Sequence, residues 1–164
     1  MKNKLALRLY VRKLLILTVI VVCLRGTISF LSLWYDIRYQ FTDSVPGVLY
    51  LIVKNKMPKK GDLAAFWPPP NKYYHHTCFI KYVKGIAGDY VKRDGERFYL
   101  NGEYIGEAKK YSRNGDHLVP SNGGLIAKGH YFMWTSHKDS YDGRYKEIGQ
   151  IPSDRIIGTA YRLL

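Results

Sequence analysis

Residues 14–24, "LLILTVIVVCL", carry no charge and follow the basic stretch "MKNKLALRLYVRK". At ~1.5 Å rise per residue this run alone is too short for a hydrocarbon core ~30 Å thick. Continuing through "RGTISFLSLWY" to Tyr35 gives a sufficient length, with Arg25 inside it. An arginine near mid-span costs about 2.5–3.5 kcal/mol, which snorkelling or a partner helix offsets. Trp34, Tyr35 and Tyr39 read as an interfacial belt at the far end. The basic residues before the span place the amino terminus inside. A cleaved signal peptide shares the basic and apolar parts, but "LRGTISFLSLW" offers no clear Ala-x-Ala site. The expectation is a retained anchor. Either way, the chain after about residue 38 lies on the trans side.

Charge supports that placement. The first 25 residues hold six of the 26 basic residues and none of the 13 acids. A net charge of +13 suits nucleic acid or an anionic membrane surface. Here the charge is spread along the chain and is densest against the apolar segment, which favours the membrane. Cys23 lies in that segment and Cys78 far beyond it, so no disulfide is expected.

After residue 40 no useful helical periodicity remains. "VLYLIVKN", "LAAFWPPP", "TCFIKYVKGI", "LIAKGHYFMWTS" and "RIIGTAYRL" read as strands, the second stopped by its prolines. Asp94-Gly95 and Asn101-Gly102 between strand-like runs are hairpin signals. The expectation is a mainly β, antiparallel body on a membrane stalk. Its regions are a cytoplasmic basic segment 1–13, a transmembrane anchor 14–35 and a β domain 36–164.

Ser44, in "FTDSVPGVLY", is either a surface-loop residue or a nucleophile. A serine hydroxyl needs a base. His75, His76, His117, His130 and His137 stand in no recognisable triad setting. "YYHHTC" could suggest metal binding by His75, His76 and Cys78, but adjacent histidines on a strand point to opposite faces. No metal or other cofactor is expected. Lys81 and Lys84 in "CFIKYVKGIAGD" are the alternative bases. Lys81 follows Phe79 and Ile80 in an apolar run. It is either a strand-edge lysine or a base whose pKa burial has lowered from ~10.4.

Taken together these segments have an order: basic stretch, apolar anchor, Thr-x-Ser-x-Pro, Gly-Asp-Leu-x-x-Phe, Ile-Lys followed by Gly-x-x-Gly-Asp, an Asn-Gly hairpin, then Ser-x-Asp-x-Arg. That order, over about residues 10–160, resembles the signal peptidase I family of membrane-bound Ser/Lys proteases, and within it the TraF-type conjugative-transfer signal peptidases. The resemblance implies a signal-peptidase/LexA-like β domain. It implies Ser44 as nucleophile and Lys81 as general base, with Lys84 the lesser candidate. Thr42 and the backbone N–H of Ser44 would form the oxyanion hole. Ser140 would orient the lysine, while Asp142 and Arg144 would pair and fix their loop. Gly143 stands where the family usually has a second serine, and "TSHK" replaces its Gly-Asp-Asn.

The implied function is cleavage of the signal segment of an exported, membrane-inserted precursor, most plausibly a conjugative pilin, with cyclisation an open variant. The implied location is the bacterial inner membrane, with the catalytic domain periplasmic. Ser44 lies nine residues beyond Tyr35, within about 30 Å of the outer face at ~3.3 Å per extended residue. "FWPPP" either dips into the interface beside it or forms a rigid edge turn. Other readings are a general leader peptidase and a non-catalytic membrane-anchored pilus-assembly protein. A nucleic-acid partner is not expected, because export removes the body from the cytoplasm. A self-cleaving Ser/Lys repressor would need a DNA-binding domain in place of the apolar segment.

Overall fold

The computed structural model describes every residue except 1, 41, 43, 72, 73, 75 and 76, and the side chains of 2–6 and 9 are likewise left undescribed. The chain divides into two units, Met1–Tyr35 and Asp36–Leu164. The first is built on one helix, α1 (Lys2–Leu31). Its segment Tyr10–Leu31 has a mean hydropathy of 2.4 over 22 residues, long and apolar enough to cross a membrane. The hydroxyls inside it are satisfied locally: Thr18 Oγ1 donates to Leu14 O at 2.9 Å and Thr27 Oγ1 to Cys23 O at 3.0 Å. The helix closes in a tightened last turn, Leu33 N to Phe30 O and Trp34 N to Leu31 O. It therefore ends short of Tyr35, and the expected belt residues Tyr35 and Tyr39 sit instead in a strand, β1 (Tyr35–Tyr39).

Among the described residues the body's regular elements are strands and one 3-10 turn at Ser153–Arg155. Its remaining strands are β2 (Leu49–Lys54), β3 (Leu63–Phe66), β4 (Phe79–Gly85), β5 (Tyr90–Asp94), β6 (Arg97–Leu100), β7 (Glu103–Glu107), β8 (Gly124–Leu125), β9 (His130–Trp134), β10 (Gln150–Pro152) and β11 (Ile156–Arg162). They form a seven-stranded sheet, β1-β2-β11-β3-β4-β9-β10, and a four-stranded sheet, β7-β6-β5-β8. From β2 to β10, and throughout the smaller sheet, neighbours are antiparallel. Asn101 and Gly102 both take positive φ, 50° and 89°, the two-residue turn that Asn-Gly favours between β6 and β7. At the other hairpin Asp94 stays in the ladder opposite Arg97. The turn there is Gly95-Glu96, one residue later than the Asp-Gly signal.

The apolar run 125–136 is not one strand. A turn closed by His130 N to Ala127 O separates β8 from β9. β10 carries too few residues to show a period. β3 stops before the prolines as expected, and Trp67 N then bonds Arg155 O at 2.9 Å.

β4 lies near the middle of the larger sheet and alternates between two apolar layers. Phe79 and Val83 join a cluster with Ala64, Phe66, Met133, Ile148 and Ile151. Ile80 points the other way, into a cluster with Val45, Tyr50, Ile52, Ala65 and Ala160. Strand alternation puts Lys81 on the Phe79–Val83 face. There it stands opposite Ala64 of β3. A third cluster, including Phe98, Ile126, Phe132 and Tyr145, holds the smaller sheet.

Candidate active site

Lys81 is 5% exposed. A lysine in an apolar strand interior must lose its proton or find partners, since burial penalises the charged form. Both happen here. Burial pushes the Lys81 amine down to about 8, Asp142 working against the shift and Arg144 adding to it. The amine donates to Ser140 Oγ at 3.0 Å. The Phe79 ring centroid lies 5.7 Å from the same nitrogen.

Asp142 and Arg144 stand behind Ser140. Arg144 Nε and Nη2 each donate to one Asp142 carboxylate oxygen at 2.9 Å, a two-point pair with both residues buried. Arg144 also reaches Glu107 O at 2.9 Å and Thr135 O and His137 O at 3.3 Å. The carboxylate accepts from the backbone of Thr135 and of Arg144 itself. The pair thus ties the end of β9, the end of β7 and the Ser140 loop together. Gly143 is required by this closeness: a Cβ there would lie 2.8 Å from Met133 O and from the Phe132 ring. A serine at this position would displace β9. Ser121, invisible as a site residue in the sequence, instead donates its hydroxyl to Gly143 O at 2.8 Å.

Ser44 belongs to a second group. Its hydroxyl and that of Thr42 lie 2.9 Å apart. Gln40 Nε2 donates to Thr42 Oγ1 at 2.9 Å, which leaves the Thr42 proton free to point at Ser44. Gln40 was not singled out from sequence; a polar residue two before Thr42 was the only signal. Backbone bonds pin the segment at its ends, Gln40 N to Val48 O and Val48 N to Leu164 O, both 2.8 Å. Tyr50 donates its phenol to Pro46 O.

The two groups are linked only through their chain neighbours, which pack on the face of β4 opposite to Lys81. Val45, next to Ser44, and Ile80, next to Lys81, share one apolar cluster. Among the described residues no hydrogen bond joins Ser44 to Lys81; Ser44 bonds Thr42 and Lys81 bonds Ser140. Lys84 points elsewhere, with its ammonium 5.0 Å from the Trp134 ring centroid and 3.6 Å from Glu103.

Burial raises the Cys78 thiol to about 11, away from thiolate chemistry. His137 accepts from Asp139 N at 3.2 Å, and His117 packs on Tyr111. His75 and His76 lie outside the described residues. Among the described residues no group of three His, Cys, Asp or Glu side chains could hold a metal ion.

The chain is similar to several known proteins. The chain is 26% identical over 142 residues to the conjugal transfer protein TraF of Agrobacterium fabrum, covering 75% of this chain and 79% of the relative. It is 29% identical over 159 residues to the "Probable conjugal transfer protein TraF" of Sinorhizobium fredii, covering 85% and 82%. The "Probable signal peptidase I-2" of Synechocystis is 26% identical over 110 residues, 63% of this chain and 47% of the relative. A crystal structure of a signal peptidase I from Enterococcus faecalis aligns at 22% identity and a TM-score of 0.43, over 63% of this chain and 97% of that one. The model of the family described as signal peptidase, peptidase S26, matches residues 8–164, and the chain belongs to that family.

Proposed function

We propose that the protein is a membrane-anchored serine endopeptidase with a Ser44/Lys81 dyad, cleaving the signal segment of an exported precursor. The observation that carries this is the Lys81 amine, buried within a sheet, held by Ser140 and pushed down to about 8. A base of that pKa has a usable neutral fraction at physiological pH.

In the reaction Ser44 Oγ attacks the scissile carbonyl and its proton passes to Lys81 Nζ. The Thr42 hydroxyl and Ser44 N–H face the oxyanion. As the C–N bond breaks, Lys81 returns the proton to the leaving amine. Lys81 then takes a proton from the water that attacks the ester and returns it to Ser44 Oγ as the ester C–O bond breaks and the acid leaves. An amine in place of water would join peptide ends instead.

The TraF relatives are named for conjugal transfer, and this supports a pilin-like precursor as substrate. We place α1 across the bacterial inner membrane, the basic residues before it in the cytoplasm and residues 36–164 in the periplasm. Ser44→Ala and Lys81→Ala, each co-expressed with a pilin precursor, are expected to abolish processing in intact-mass spectra. Normal processing by either variant rejects the dyad.

A second reading, a non-catalytic membrane-anchored assembly protein, is favoured by one observation: the Ser44 hydroxyl bonds Thr42 rather than Lys81. Covalent labelling of Ser44 by a serine-reactive penem decides against it.

A further inference from the structure

Resting on the Ser44/Lys81 reading, we propose that Thr135 is a positioning residue for Lys81, its hydroxyl accepting the third N–H of the ammonium that forms when Ser44 gives up its proton. The β4–β9 register pairs Val83 with Met133 and Tyr82 with Trp134. Continued one residue past the end of β9, the same register sets Thr135 across from Lys81, and directly opposed residues of an antiparallel pair share a face. Thr135 is 1% exposed, and its Oγ1 has no hydrogen-bond partner among the described residues. A buried hydroxyl without a partner is costly, and valine would fill the same space without that cost.

A count of donors shows what the hydroxyl is for. An ammonium carries three N–H donors. Ser140 Oγ takes one. Ser44 Oγ, from which the proton came, takes the second. The third needs an acceptor inside a dry site. The Asp142 carboxylate is committed to Arg144 and to two backbone N–H groups. The other side of Lys81 presents Ala64 of β3, and Asp142 and Arg144 are the charged groups that act on the amine. Thr135 Oγ1 is the acceptor that remains. Its backbone is fixed by the same pair, Thr135 N on Asp142 and Thr135 O under Arg144.

The test is the pH profile of Ser44 labelling by a serine-reactive penem, using the full chain in detergent micelles. Thr135→Val is expected to lower the midpoint by about one pH unit, since losing an acceptor favours the neutral amine. The plateau rate should fall roughly tenfold through loss of alignment. Thr135→Ala gives the same shift if the valine variant does not fold, and Thr135→Ser restores the wild-type profile. An unchanged midpoint in the variants lacking the hydroxyl overturns the proposal, whatever the plateau does. Ser44→Ala and Lys81→Ala in the same assay keep the two ideas apart. If either labels like wild type, the dyad itself fails; if both are silent while Thr135→Val is wild type, only the Thr135 role falls.

Discussion

Lys81 and Ser44 are held in opposite ways. Lys81 stands on an interior strand with neighbours on both sides, and its amine is clamped by a loop that is itself clamped by Asp142 and Arg144. Ser44 sits in an irregular, half-buried segment held at Gln40 and Val48. The difference follows from what each group needs. A lysine must be kept dry to become a base, and only a packed sheet interior does that. A serine needs no pKa shift of its own, only reach to substrate and base, and a short tethered loop supplies it. The rigid half should therefore report on stability and the tethered half on rate.

The sharpest way to break that division is Arg144→Met. It leaves the Asp142 carboxylate buried without its partner and should cost ~3–5 kcal/mol of stability. Chemical denaturation of the full chain in micelles, followed by tryptophan fluorescence, measures it. The double variant Asp142→Leu with Arg144→Met should recover much of that loss, because removing both charges removes the uncompensated one. A single variant with wild-type stability would show that the pair is not the clamp.

The tethered half is probed next. Thr42→Val removes one proposed oxyanion donor and should raise the acylation barrier by ~3 kcal/mol, with stability nearly unchanged. Single-turnover processing against a stability curve separates the two. An equal loss in both would move Thr42 into the structural class.

How much of this was legible follows the same divide. The strands over Leu49–Lys54 and Phe79–Gly85 were readable because they are long, apolar and rich in β-branched or aromatic residues. β1 was not, because "YDIRY" is an edge strand with an exposed face and reads equally well as the end of the anchor. β8 and β10 are too short to show a period. Lys81, Ser140, Asp142 and Arg144 came from motif order, and spacing alone left Lys81 ambiguous. Its burial is a property of strand order: β3 and β9 flank it from distant parts of the chain. Ser121 acts through a contact of that kind, its hydroxyl reaching Gly143 O from 22 residues away, so no local pattern marks it, whereas Gln40 bonds Thr42 only two residues on.

Lys81→Met tests the cost of keeping the base dry. With the folded pKa near 8 against an ordinary 10.5, the unfolded chain binds more protons between those values, so native stability rises with pH across that window. Below about 8 the full penalty of the lowered pKa applies, roughly 3 kcal/mol less whatever the Ser140 bond returns. The methionine variant should thus be inactive yet about 2 kcal/mol more stable at pH 7, with the gain fading towards pH 10.5. In the wild type, Ser44 acylation should climb about tenfold per pH unit up to about 8 and then level off, since only the neutral amine accepts the proton. A variant less stable at pH 7 would mean that packing around the amine, not its charge, dominates the site.

The smallest effect is the most discriminating. Ser44→Ala removes a half-exposed hydroxyl whose only described partner is Thr42. A surface-like hydrogen bond of this kind is worth about 0.5 kcal/mol. The variant should melt with the wild type, within experimental error, at every pH from 6 to 10, while its processing rate falls by about 10³-fold or more. Loss of stability comparable to that of Arg144→Met would show that the Ser44 segment is a structural member of the Lys81 cluster. The opposed demands on the two residues, dryness for one and reach for the other, would then no longer explain why one is on a strand and the other on a loop.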